Sequence, residues 1–99
     1  MSRFRIFRLR TGSMLAVDLQ SDLLDQLPSR IMAPLIPVSD MPWTMTRLTP
    51  RFVIDGQPYV MATHRMASVP TSEIGPMVTD LSHRSDEITA ATDFLFQGF

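Results

Sequence analysis

From Arg3 to Arg10, charged and apolar residues alternate with the period of two that marks a half-buried β-strand. Phe4 and Ile6 hold one parity, whereas Phe7 and Leu9 hold the other. Side chains must therefore change face near Ile6–Phe7, which predicts a bulge or bend there. Thr11-Gly12-Ser13 reads as a turn. Leu15, Val17 and Leu19 then alternate with Ala16, Asp18 and Gln20, a second strand and the natural hairpin partner of the first. Ser21 to Asp25 opens with capping residues and cannot run far before Pro28, so it is a loop or a single turn. Leu23 and Leu24 within it either pack inward or are displayed on the rim. Arg30 to Val38 is apolar with two prolines; proline cannot donate to a ladder, so an edge strand or a kinked one is expected. Leu48–Ile54 and Pro58–Thr63 flank Asp55-Gly56, a strong hairpin signal. Met66–Val69 continues the sheet until Pro70 stops it, and Thr71–Gly75 is a turn or short helix.

The last twenty residues, Asp80 to Phe99, change rhythm. Ile88, Ala91 and Leu95 recur at helical spacing, with Thr92 on the same face. Ser82 or Ser85 is the expected cap, and Asp86 and Glu87 suit the positive end of the helix dipole. Gly98 stands where helices end in a left-handed residue. Phe94, Phe96 and Phe99 lie partly off the stripe. Three phenylalanines exceed what one core contact needs, so this segment is either an ordinary docked helix or a tip that meets a partner. Five or so short strands and a late helix predict a mainly β fold, an antiparallel barrel or sandwich with a helix against it.

Composition narrows the picture. A chain of 99 residues is one small domain spanning 1–99. Such a chain buries only about 60–70% of its unfolded surface, and dimerisation is a common remedy. There is no cysteine, no apolar run of membrane length and no signal-peptide segment, so a soluble cytoplasmic protein is expected. Nine arginines and no lysine face ten carboxylates, a net charge of −1, which is not the footprint of a general nucleic-acid binder. The N-terminal arginines read as a solvated strand face, or as a landing site for an acidic segment. Trp43, the only tryptophan, reads as a cover over the core.

Candidate chemistry is sparse. Four scattered glycines make no phosphate cradle. His64 and His83 have no partner at metal-ligand spacing, so no metal or cofactor is expected. Asp80, Ser82 and His83 contain the letters of a triad, but neighbours in one turn rarely supply its geometry, and turn hydrogen bonds explain them more simply. Asp22 and Asp25 lack the burial that would split their pKa values into an acid and a base.

Several runs resemble the CcdB family, the toxins of plasmid and chromosomal toxin–antitoxin modules: Val17–Asp25 (VDLQSDLLD), Pro34–Leu35, Met66–Ile88 (MASVPTSEIGPMVTDLSHRSDEI) and the ending Phe96–Phe99 (FQGF). The resemblance covers essentially the whole chain. It implies an SH3-like antiparallel β-barrel with a C-terminal α-helix, forming a homodimer with that helix at the two-fold interface. It also implies a protein that catalyses nothing: the paired tips enter the A subunit of DNA gyrase and trap it on cleaved DNA. A CcdA-like antitoxin with a disordered C-terminal segment would block the toxin. Carried over residue by residue, the gyrase contacts are Leu23, Leu24, Asp93, Phe96, Gln97, Gly98 and Phe99. The antitoxin would lie along the first hairpin, on Arg8, Arg10, Thr11, Gly12, Ser13 and Met14.

Two departures from the family pattern stand out. Gln97 replaces a tryptophan that in the family stacks on an arginine of gyrase A. Losing it removes a cation–π contact of ~0.5–2 kcal/mol and apolar burial of ~1.5–3 kcal/mol. Affinity would fall about a hundredfold or more, unless Phe99 supplies the ring. The Thr11–Ser13 loop is also shorter than usual in the family, which bears on antitoxin cross-recognition. Three readings follow: a gyrase poison, with or without attenuation by Gln97; an antitoxin-binding homologue without gyrase poisoning; and, remotely, an mRNA endoribonuclease on the same barrel, which would need a basic groove and general acid–base residues.

Overall fold

A computed structural model describes residues 2–99. Among the described residues, seven strands form one antiparallel sheet: β1 (Arg5–Leu9), β2 (Leu15–Asp18), β3 (Ser29–Pro37), β4 (Arg51–Ile54), β5 (Gln57–Met61), β6 (Ala67–Pro70) and β7 (Ile74–Asp80). Their order is β4-β5-β3-β2-β1-β7, with β6 also paired to β3. The sheet curls into a half-barrel, and one helix, α1 (Ser85–Gln97), packs into it. The mainly β expectation with a late helix is met.

The core lies inside the curl. Ile6, Val17, Ala33, Leu35, Phe52, Met61 and Leu81 meet Ile88 and Ala91 of α1, both fully buried. Thr92 and Leu95 are half-buried, so the narrow stripe read from the sequence is the docking face. A smaller cluster of Met41, Val60 and Ala62 sits outside it. Trp43 is not the expected cover. It is 49% exposed and meets His64 edge-on, with ring centres 5.8 Å apart; Met41 takes the inward place beside it.

Both predicted hairpins form. Asp55 and Gly56 have φ of 53° and 78°, the double left-handed conformation that joins two twisted strands tightly. β1 and β2 pair regularly through Ile6↔Val17 and Arg8↔Leu15. The change of face expected within β1 does not occur, since β1 alternates without interruption against β2; the irregularity near Ile6–Phe7 lies in its pairing with β7. There the register with β7 slips between Ile6 and Phe7 and again before Leu9, with the extra residues in β7.

Three expectations need correction. β3 is no edge strand: it is the longest strand, bonded to β2 on one side and to β6 and then β5 on the other. β6 pairs with Ser29–Met32 and β5 with Leu35–Pro37, so Pro34 falls where one neighbour leaves and the next begins. The Pro34 carbonyl accepts the Ala62 N–H at 2.9 Å, so its missing donor lies on that same side, where no rung is required. β7, which the sequence reading passed over, carries Pro76 and pairs only with β1, as proline in a sheet requires. Finally, neither Ser82 nor Ser85 caps α1. A 3-10 turn, Ser82–Arg84, leads into the helix, and Arg84 stands at the cap position, where its side chain accepts no bond from the first turn.

One glycine is dictated by packing. A Cβ on Gly75 would lie 2.4 Å from the Arg8 carbonyl oxygen, a backbone atom that cannot swing away. Gly75→Ala should therefore destabilise the fold by about 1–3 kcal/mol, read as a lower urea midpoint with an unchanged slope.

Candidate functional site

The loop between β2 and β3 holds one 3-10 turn, Asp22–Leu24, capped by the Ser21 hydroxyl accepting the Leu23 N–H at 3.2 Å. The turn turns its leucines outward: Leu23 is 88% exposed and Leu24 48%. At the far end of the chain, α1 closes on Gly98, whose φ of 80° lets its N–H reach the Phe94 carbonyl at 3.0 Å. Phe96 and Phe99 remain 71% and 75% exposed. Asp93, Gln97 and Gly98 are exposed beside them. Phe94 is the exception among the aromatic residues of the helix, half-buried beneath the Arg47 guanidinium at 4.5 Å.

Leu24 and Phe96 line one open apolar groove, together with Leu19, Leu27, Ile31, Met66 and Thr92. The structure thus joins two of the seven residues expected at a gyrase contact, although they lie 72 positions apart (96 − 24). Leu23 faces a neighbouring recess with Arg3, Phe4, Ser82 and Ser85. Sequence reasoning missed Leu27, Ile31 and Met66. Leu27 offered one signal, an apolar residue in a polar loop just before Pro28; the places of Ile31 and Met66 are set by distant partners.

The residues expected to meet an antitoxin divide. Arg8, Gly12, Ser13 and Met14 line a second groove with Leu35, Pro37 and Tyr59. Within it the Arg8 Nη1 donates to the Ser13 carbonyl at 3.2 Å. Thr11 turns away and donates to the Glu73 carboxylate at 3.1 Å, and the Arg10 N–H bonds the Glu73 carbonyl at 2.8 Å. Both Arg8 and Arg10 are exposed.

The triad letters resolve into a turn. Asp80 Oδ1 accepts from the Ser82 N–H at 2.8 Å and from the Ser82 hydroxyl, and Arg5 approaches its other oxygen at 3.4 Å. The Ser82 hydroxyl first, its N–H next and Arg5 last hold the Asp80 carboxyl below the usual carboxylate range. Asp22 and Asp25 form no acid–base pair with each other: Asp25 turns toward Arg30, and Asp22 Oδ1 accepts the Ser2 and Arg3 N–H groups at 2.9 and 3.2 Å, with Arg30 3.5 Å away.

The family model for the CcdB protein matches residues 3–98. The chain belongs to the CcdB family. Its solved structural relatives include the Mycobacterium tuberculosis toxin MazF-mt6, with a TM-score of 0.77 over 93% of this chain and 95% of that one. At 13% identity that likeness concerns the fold alone. Membership in the CcdB family brings the toxin-type fold and, with it, an antitoxin partner in a toxin–antitoxin module. Among the described residues, no helix is long and apolar enough to cross a membrane.

Two outcomes follow from this geometry. Phe96→Ala should change stability by no more than about 0.5 kcal/mol, as for an exposed position. Ile88→Ala, one helical face away, should cost about 2–5 kcal/mol; thermal or urea unfolding separates them. Because the folded Asp80 pKa is depressed, its stabilising share is present above the ordinary aspartate value and is lost as pH falls through the folded one. Asp80→Asn should therefore flatten the loss of stability below about pH 4, measured as melting temperature against pH.

Proposed function

We propose that this CcdB-family protein is a toxin that binds the A subunit of DNA gyrase and traps the enzyme on cleaved DNA. The observation that carries the reading is the display of Phe96 and Phe99 at the end of a helix whose other face is locked in the core. An apolar surface of this kind, rimmed by polar residues, is what a protein partner covers. The contact set is Leu23, Leu24, Asp93, Phe96, Gln97, Gly98 and Phe99. Two copies pair with their C-terminal helices at the two-fold axis, so that a symmetric dimer offers the same tip to each half of a symmetric target. The antitoxin segment takes the first hairpin, where the exposed Arg8 and Arg10 suit acidic side chains.

Gln97 favours a second reading, in which the protein binds antitoxin but no longer poisons gyrase. It stands exposed at the tip, in the place where the family resemblance puts a tryptophan. RNA cleavage by the pure protein would point instead to the endoribonuclease reading.

Inducing the chain in bacteria should produce gyrase-linked DNA breaks, and deletion of residues 97–99 should abolish them while the melting temperature holds. Normal growth with no binding to purified gyrase A would end the reading. Gln97→Trp should tighten gyrase binding by about a hundredfold. Equal toxicity of the two proteins would remove the binding-only alternative.

A further inference from the structure

No residue from Asp22 to Pro28 is buried, so packing within the loop does not fix the posture of Leu23 and Leu24. Asp22 Oδ1 accepts the Ser2 and Arg3 N–H groups at 2.9 and 3.2 Å on one side, and the deeper anchor lies beneath the loop. Arg30, 5% exposed on β3, places Nε 2.9 Å and Nη2 2.8 Å from Asp18 Oδ2, and Asp18 is itself 1% exposed. Nη2 also donates to the Gln20 carbonyl at 3.0 Å. The same guanidinium then reaches up into the loop: Nη1 pairs with Asp25 Oδ1, and Nη2 lies 3.5 Å from Asp22 Oδ1. Gln20 reinforces the anchorage. Its side-chain amide donates to the Leu24 carbonyl at 3.1 Å and to the Ser29 carbonyl at 3.2 Å, and its oxygen accepts the Ile31 N–H at 3.1 Å.

We propose that Arg30 is a positioning residue for the partner surface. Its planar fork grips the buried Asp18 with one edge and the Asp22–Asp25 loop with the other, so Leu23 and Leu24 are held in a set posture before any partner arrives. Arg30 itself is buried. What the leucines meet rests on the gyrase reading; what holds them rests on the geometry alone. A lysine could keep the charge but could not serve both edges, because its ammonium is a point charge without a fork. A loop ordered in advance loses less freedom on binding, and that difference appears as affinity.

The test uses the full chain, with Asp25→Asn and Arg30→Lys. Amide hydrogen exchange in the free protein reads the loop, and binding to purified gyrase A reads the surface. Both variants should speed exchange across residues 22–27 and weaken gyrase binding by about tenfold, the worth of one charge-assisted bond. Arg30→Lys alters no exposed side chain, so a matching loss in both variants separates posture from direct contact. Unchanged loop exchange, or faster exchange with undiminished affinity, overturns the proposal. If Arg30→Lys does not fold, the same two readouts on Asp25→Asn decide it. Wild-type protein that fails to bind gyrase A removes the gyrase reading alone, and the exchange rates still decide whether Arg30 holds the loop.

Discussion

Strand β3 has to serve more neighbours than an ordinary strand has sides. β2 takes one edge along Met32–Leu35, while β6 and β5 divide the other. This division sets the shape of the molecule. A sheet that splits along one strand cannot stay flat, and the two branches fold around a common interior that α1 then fills. Pro34 fits the split because the fork needs no donor there, and proline has none to give. What looks like a defect in a strand is the point where the half-barrel branches.

The ion pair under the β2–β3 loop follows a different logic. Burying Asp18 with Arg30 takes two charges out of water, and the Coulomb attraction seldom repays that with much to spare. An apolar pair of similar volume would often stabilise as well. The pair's distinct contribution is direction: five N–H donors in one plane can satisfy a buried carboxylate, a backbone carbonyl and loop carboxylates together. The structure therefore places its costly polar group where an exposed loop needs a fixed bearing and has no buried residue of its own.

Much of this was legible in the sequence, for local reasons. The Asp55-Gly56 turn, the Ile88–Ala91 stripe and the left-handed Gly98 all depend on a few adjacent residues. The rest depended on partners far away in the chain. Whether the prolines of β3 mark an edge or a branch is decided by β5 and β6, which no window around Pro34 contains. β7 was passed over because Gly75 and Pro76 weaken every strand signal, and its register is set by β1, some seventy residues earlier. The contact residues on the C-terminal helix came from family resemblance and the phenylalanine surplus. Their meeting with Leu24 across one groove, and the extension through Leu27, Ile31 and Met66, are tertiary facts. Arg30 reads as one more strand residue, and only the fold brings its guanidinium to the buried Asp18 of the neighbouring strand.

The contact between Trp43 and His64 has a practical side. With a single indole in the chain, all tryptophan emission comes from one place, the segment between β3 and β4. An imidazole edge against that indole makes the emitted light sensitive to how this segment sits on the turn after β5. The native protein thus carries an optical gauge for one connection, with no label attached.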